Sequence, residues 1–396
     1  MREFVFPNEI KYIFDAFLEE GDEIMLVGGC VRDFLMNKEI NDYDLATKYR
    51  PEKVEEILKY NNISFFKTGI KFGTITAIIN DKKIEITSLR KDIKTDGRYA
   101  EIEFVDDYFE DAKRRDFTFN ALYMDYNGNI YDFFNGIDDL KNGVVKFIGN
   151  AENRIIEDNL RILRFFRFYN FCNPFSGYEA LQACIKHKHL IKNLSKERIS
   201  DEFMKILNVN YCVKTLKVMQ YFGILQEIFG QPLDLENLEV FYSMSNFIDF
   251  DFNSNFILAL ILSRNNNDFD FVLGRKVKKF INEILSVKIN KINFFEIKKL
   301  LFKFEDKEIV KNIIILNFCN NFTNFEELEK NLDFLERTRI PKFNIRGVDL
   351  IEAGFKNKND FSKIIKTLKN IYVSSGFKLD KSGVIKKFKK SIEWRN

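Results

Sequence analysis

The chain has 396 residues, 45% apolar and 31% charged, with 62 basic side chains against 59 acidic ones and a formal charge of +3. That composition excludes a disordered chain and leaves room for two or three packed domains. No stretch approaches the roughly 18 apolar residues of a membrane span, and the N-terminus MREFVFPNEIKYIFDAF lacks an apolar core followed by a small-residue cleavage site, so a cytoplasmic protein without a membrane partner is expected. Five cysteines (Cys30, Cys172, Cys184, Cys212, Cys319) are odd in number and lack C-x-x-C spacing, which speaks against a disulfide framework or a zinc site. Only His187 and His189 could serve as histidine bases or ligands, and both lie far from the glycine-rich and acidic motif below. The near-balance of charge leaves a basic surface undecided. The runs Lys386-Lys387 and Lys389-Lys390 suit solvated helix faces as well as RNA. Forty-four phenylalanines reflect compositional bias and lower the meaning of any single one.

In chain order, Pro7 opens a helix with Ile10, Ile13, Phe14, Phe17 and Leu18 at helical spacing. Residues 23–27 read as a strand, 31–37 as a short helix and 43–46 as a second strand. Pro51 starts another helix through Val54, Ile57 and Leu58. Residues 74–79 and 83–89 read as strands joined at Asn80-Asp81, a hairpin signal. The polar run RKDIKTDGRYAE (90–101) reads as a mobile loop, and Lys113–Leu122 as a helix beginning near Arg114. A turn at Asp125-Tyr126-Asn127-Gly128 precedes a strand at 130–133. After about Gly149 strand signals nearly vanish and helices follow, which predicts an α/β or α+β head on an all-helical arm.

The residues that carry chemistry begin at LVGGCVRDFLMNKEINDYDLAT (26–47). Gly28-Gly29 lets backbone N–H groups approach phosphate without a Cβ in the way. Arg32 can fork onto phosphate oxygens. Asp42 and Asp44, two apart on a strand, face one side and can share a hard cation. Together they read as a site that holds a nucleoside triphosphate against two metal ions. In KIEITSLR, alternation puts Glu85 on a face from which it either joins the aspartates or meets solvent. In KRRDFTFNAL (113–122), Arg114 and Arg115 at a helix start would need a compensating anion. A bound phosphate or ribose supplies one reading, and a surface salt-bridge cluster with Glu110 and Asp111 the other. In EDNLRILRFFR (157–167), Asp158 and Arg161 fall i, i+3 on one helix, with Arg164 and Arg167 beyond and Ile156, Leu160 and Leu163 as an apolar stripe. This is either an amphipathic helix with one ion pair or a base reader. A carboxylate accepts from the exocyclic amino group of C or A, and a guanidinium donates to the ring acceptor beside it. U and G would leave buried charge unpaired, at about 1–3 kcal/mol.

GGCVRD, the DYD pair, RRDFTFNAL and EDNLRILRFFRF stand in the order seen in the class II tRNA nucleotidyltransferase and poly(A) polymerase family, of the DNA polymerase β nucleotidyltransferase superfamily. The chain resembles that family over residues 24 to about 210, including LSKERISDEFMKIL at 194–207, and again at FNIRGVDLIEAGF (343–355). The resemblance implies an α+β fold: a polymerase β-like nucleotidyltransferase head with a mixed or antiparallel sheet, then an all-helical neck, body and tail in a curved molecule. The expected boundaries are 1–148 for the catalytic head, 149–210 for a base-recognising neck and 211–396 for a tRNA-binding body and tail. By resemblance, Asp42 and Asp44 bind two Mg²⁺ ions, and Gly28, Gly29 and Arg32 contact triphosphate. Arg115 and Asp116 belong to the ribose and phosphate motif. Asp158 and Arg161 read the base, with Arg164 and Arg167 as further nucleotide contacts. The loop at 90–101 matches the flexible loop that CCA-adding members need for the terminal A. KTGIKFGTITAII (67–79) is similar to CCA-adding members rather than to bacterial poly(A) polymerases, and no long basic C-terminal extension follows the tail. The implied substrates are CTP, ATP and the acceptor stem and 3′ end of tRNA, served by a monomer or weak dimer. A poly(A) polymerase, or an enzyme adding only CC or only A, is the alternative. Lys356-Asn357-Lys358-Asn359-Asp360 departs from the Gly-Pro-rich stretch usual after this glycine, and Asn159 stands where the family often has Pro.

Overall fold

The structure is a computed structural model that describes residues 4–21, 24–95, 100–170, 177–208, 212–244, 247–248, 250, 253–265, 271–321 and 324–393. Nine strands are described: β1 (Ile24–Val27), β2 (Tyr43–Thr47), β3 (Ser64–Gly69), β4 (Thr74–Ile79), β5 (Lys82–Ser88), β6 (Arg90–Thr95), β7 (Ala100–Phe104), β8 (Leu122–Met124) and β9 (Ile130–Asp132). Seven of them form one mixed sheet in the order β3-β4-β5-β2-β1-β8-β9. Only β2 and β5 run parallel, with Asp44 opposite Glu85 and Leu45 opposite Ile86.

The two faces of the sheet follow from strand alternation. Leu26, Leu45, Ile75, Ile84 and Ile86 pack with Ile10, Ile13, Phe14 and Phe17 of α1 (Asn8–Leu18) and with Val54, Ile57 and Leu58 of α3 (Pro51–Tyr60). Between these helices in sequence lies α2 (Gly29–Leu35). Val27 and Ala46 point the other way, into a second cluster with Leu89, Tyr108, Ala112, Ala121 and Tyr123. Burying each large aliphatic side chain contributes about 1.5–3 kcal/mol, enough to fix the register of β2. That register puts Asp44 on the face of Ala46. The turn at Asn80-Asp81 has φ of 51° and 63°, the two left-handed residues that a tight hairpin needs. Strand β3 was not expected; SFFKTG is an edge strand with an exposed Phe66, so alternation does not mark it.

Two expectations are corrected. The run at 90–101 is not simply a loop: β6 and β7 pair antiparallel, Arg90 opposite Phe104 and Lys91 opposite Glu103. Its D-G signal (Asp96-Gly97) lies outside the described residues, between two strands. The helix expected at 113–122 ends instead where it was thought to start. Helix α4 covers Tyr108–Lys113, capped by the Asp107 side chain on the Phe109 amide at 2.9 Å. Arg114 is its C-cap, where cations suit the helix dipole, so no anion is needed to justify the arginines. A short 3₁₀ turn (Thr118–Asn120) then leads into β8.

From α5 (Gly136–Lys141) onward the chain is helical: α6 (Ala151–Glu157), α7 (Leu160–Tyr169), α8 (Tyr178–Lys186), α9 (Lys196–Leu207) and eleven further α-helices to Glu393 among the described residues. The chain divides into two compact units, residues 1–233 with 269–272, and residues 234–268 with 273–396. The first unit holds the sheet and α1–α9. The second contains a separate apolar cluster of Ile345, Leu350, Leu368, Val384 and Phe388. Among the described residues no helix is long and apolar enough to cross a membrane.

Candidate active site

Strand β1 ends at Val27, and the chain turns sharply through Gly28, whose φ of 75° disfavours a side chain. A Cβ on Gly28 would meet Arg115 Nη1 at 3.2 Å and the Asn120 carbonyl oxygen at 3.4 Å. The turn therefore leaves room for a close approach from the cleft side. Helix α2 begins at Gly29 and presents Arg32 one turn later. Arg32 donates from Nη1 to Asn120 Oδ1 at 2.7 Å and from Nε and Nη2 to Asp33 at 2.9 Å, and it packs on the Phe168 ring. Cys30, buried behind this turn, has its thiol pushed up to about 11 by burial, so it stays a neutral thiol and is no nucleophile.

Asp42 just precedes β2 and Asp44 is its second residue, both open to solvent on the cleft side. The Asp44 carboxyl is pushed up to about 6, first by lost hydration, then by Glu85 in register on β5 and by Asp42, with Arg115 opposing. This is a crowd of negative charge that a divalent cation would relieve. Its donors are hard oxygens, as Mg²⁺ requires. Among the described residues no group of three His, Cys, Asp or Glu is placed to hold a metal ion. Glu85 thus acts on Asp44 through its charge without completing a three-ligand cage. Mg²⁺ sites formed by one or two carboxylates use phosphate and water oxygens for the rest, which suits a pair.

The opposite wall is built from arginines braced by carboxylates. Asp111, buried on α4, takes Arg114 Nη2 at 2.8 Å, Arg115 Nη2 at 3.2 Å and the Tyr123 hydroxyl at 2.7 Å. Burial would raise its carboxyl, but the two arginines and the Tyr123 bond win and hold it at about 2. Asp116, also buried, accepts from Arg164 Nε at 2.6 Å, Asn120 Nδ2 at 3.1 Å and the Phe117 amide at 2.9 Å. Burial again opposes ionisation, yet Arg164 and these bonds keep its carboxyl below the usual range. Arg167 donates to the buried Glu202 of α9 at 3.0 Å.

Asp158 and Arg161 are not the intrahelical pair their spacing predicts. The helix breaks between α6 and α7. Asp158 has extended backbone, φ −144° and ψ 106°, and its Oδ1 accepts the Leu160 amide at 3.1 Å. Asn159, where the family often has Pro, has φ −63° and donates from its side chain to the Ile155 carbonyl at 2.9 Å. Asp158 pairs with Arg198 of α9, Nη2 lying 2.9 and 3.0 Å from its two oxygens. Arg161 turns inward to Glu157, to the Arg154 carbonyl at 2.9 Å and to the Arg114 carbonyl at 3.2 Å. The apolar stripe also shifts: Ile156 is exposed, while Ile162, Leu163, Phe165 and Phe166 are buried and Leu160 faces the cleft.

These elements, all in the first unit, enclose one cleft of about 980 Å³. Gly28, Gly29, Arg32, Asp42, Asp44, Arg115, Asp116, Asp158, Arg161, Arg164 and Arg167 all line it. Nine Lys or Arg side chains face six carboxylates there, an excess of positive charge that suits a polyanion. Sequence reasoning missed Asn120, Arg198 and Lys205, which also line it. It also missed Glu202 behind Arg167, and its salt-bridge alternative put Asp111 in a surface cluster, whereas Asp111 is buried. Arg198 and Glu202 read as ordinary helix residues until α9 packs on α7, which brings Glu202 to Arg167 and Arg198 to Asp158 just before α7.

Residues 24–146 match the family described as poly A polymerase head domain, and residues 178–233 match the probable RNA- and SrmB-binding site of polymerase A. The Homo sapiens protein CCA tRNA nucleotidyltransferase 1, mitochondrial, is 31% identical over 405 residues, spanning 98% of this chain and 91% of the human one. The fold resembles the crystal structure of the Bacillus stearothermophilus CCA-adding enzyme in complex with CTP, with TM-score 0.77, 23% identity, and 98% and 99% of the two chains covered. It also resembles the Thermotoga maritima CCA-adding enzyme complexed with tRNA, with TM-score 0.63, 21% identity, and 98% and 97% covered. A mixed sheet carrying paired aspartates, arginines braced by buried carboxylates and a helical continuation thus meet a full-length likeness, and the chain belongs to the family of CCA-adding tRNA nucleotidyltransferases.

Proposed function

We propose that the protein completes the 3′ end of tRNA, adding C, C and A from CTP and ATP by nucleotidyl transfer without a nucleic-acid template. The observation that carries this reading is that the two aspartates, the braced arginines and Asp158 line one cleft. Asp42 and Asp44 would hold Mg²⁺, which supplies charge neutralisation and activation of the tRNA 3′-hydroxyl. Arg32 and the Gly28-Gly29 turn receive the triphosphate, and Arg115 reaches over that turn toward it. Asp116 and Arg164 form a rigid floor for ribose and phosphate. Asp158, steadied by Arg198, keeps lone pairs for the amino group of C or A, and Arg161 supplies the donor. Residues 1–148 are the catalytic part and 149–210 choose the base. Residues 211–396 grip the acceptor stem through phosphate and shape, since every tRNA must be served. In Asp42→Ala we expect incorporation to vanish while tRNA binding stays within about twofold. Appreciable incorporation in that variant would refute the assignment of Asp42 as a metal carboxylate.

A further inference from the structure

Asp111 lies outside the cleft, 1% exposed, and no nucleotide could touch it. It is nevertheless the most heavily used carboxylate near the cleft. Oδ1 accepts from the Arg90 amide at 3.2 Å and Arg114 Nε at 2.9 Å. Oδ2 accepts from Arg115 Nε at 3.3 Å, Arg115 Nη2 at 3.2 Å and the Tyr123 hydroxyl at 2.7 Å. With Arg114 Nη2, 2.8 Å from Oδ1, these donors come from the start of β6, from the C-terminal end of α4 and from β8. Asp111 therefore cannot follow Arg115 if Arg115 moves.

The consequence falls on one atom. Asp111 occupies the Nε and Nη2 edge of the Arg115 guanidinium, and the Tyr123 ring packs on it at 5.4 Å. Nη1 is left without a hydrogen-bond partner among the described residues. It points at the Gly28 turn, 3.2 Å from where a Cβ would sit. A guanidinium is a planar fork, so holding one edge fixes the direction of the other. Without Asp111, Arg115 could turn its whole fork toward Asp44, whose charge already acts on it.

We propose that Asp111 is a positioning residue for nucleotide binding, clamping one edge of Arg115 so that Nη1 is presented at the Gly28 turn. The inference rests on the reading that Arg115 contacts the nucleotide. It assigns no chemistry to Asp111 itself.

The test compares Asp111→Asn, Arg115→Ala, the double variant and Tyr123→Phe in the full-length protein. The readouts are kcat/KM and KM for CTP on tRNA lacking its 3′ end, with the folded fraction measured by circular dichroism. Arg115→Ala and Asp111→Asn are each expected to lose on the order of 10²-fold in kcat/KM, mostly through a raised KM. The double variant should be no worse than about twofold below Arg115→Ala, because both changes disable one contact. Tyr123→Phe removes one anchor and should lose about tenfold in the same direction; it carries the test if Asp111→Asn does not fold. A loss in Asp111→Asn that only tracks its folded fraction with KM unchanged, or losses that multiply in the double variant, would overturn the proposal. So would an unchanged Tyr123→Phe alongside an unfolded Asp111→Asn. A full kcat/KM in Arg115→Ala would overturn the nucleotide role of Arg115, and this inference with it.

Discussion

Asp44 is the residue whose charge state matters most. Its carboxyl titrates near 6 in the folded chain, against the ordinary carboxylate value of 3.8. A folded-state value above the unfolded one means the native state binds the extra proton between them. Stability is therefore greatest below the lower value and falls as pH rises through about 6. Solvent access to Asp44 reduces the effect to about 1 kcal/mol. In metal-free protein, Asp44→Asn should raise the melting temperature at pH 8 by a few degrees, with the difference gone near pH 4. Mg²⁺ should raise the wild-type melting temperature at pH 8 far more than at pH 5, and should do little for Asp44→Asn. Scanning calorimetry with and without the cation decides this; equal Mg²⁺ effects at both pH values would remove Asp44 from the metal site. At this scale the sequence was readable where local spacing decides. Asp42 and Asp44, two apart, both line the cleft, although β2 begins only at Tyr43, and a glycine was read at the turn where Gly28 takes its positive φ. It was not readable where partners come from elsewhere in the chain. The carboxylate of Asp111 and the guanidinium of Arg198 look like any other charged helix residue until α4, β8, α7 and α9 are packed together.

Among the elements, α7 and α9 decide how the cleft is walled. Arg161, Arg164 and Arg167 face α6, the Asp116 segment and α9 in turn, and each meets a carboxylate there. Local spacing predicted an Asp158–Arg161 pair because no Gly or Pro announces the break at Asp158. The break exists because Asp158 caps the Leu160 amide and reaches Arg198 instead. In Arg198→Ala, Asp158 loses this anchor. Selectivity for CTP and ATP over UTP and GTP should then fall about tenfold, the worth of one poorly held charged hydrogen bond. Unchanged selectivity in competition assays would mean that Asp158 needs no support from α9. Helix α4 teaches the same lesson in reverse. Apolar spacing after Arg114 and Arg115 suggested a helix start there, whereas the helix ends at Lys113 with Arg114 as its C-cap. Phe117 and Ala121 flank a 3₁₀ turn that leads into β8 and do not themselves lie on a helix.

For the whole molecule, the order of strands first and helices afterwards was legible from where strand signals stop. The division of the chain was less so, since compactness depends on contacts that no composition shift marks, and the units part at residue 233. The cluster around Leu350 and Leu368 gives residues 343–388 a core of their own. A chain ending at residue 340 should therefore keep CTP binding within about twofold, while its tRNA affinity falls at least about tenfold, as loss of phosphate contacts dictates. Gel-shift and nucleotide titrations on that chain check both, and full tRNA affinity after the truncation would move RNA recognition out of the tail. The most direct test of the central claim is extension of tRNA lacking its 3′ end, resolved to single nucleotides. The account predicts two added residues with CTP alone, none with ATP alone, and C, C and A with both, after which growth stops. Long A tails on arbitrary RNA, or no extension in Mg²⁺ despite tight tRNA binding, would contradict it.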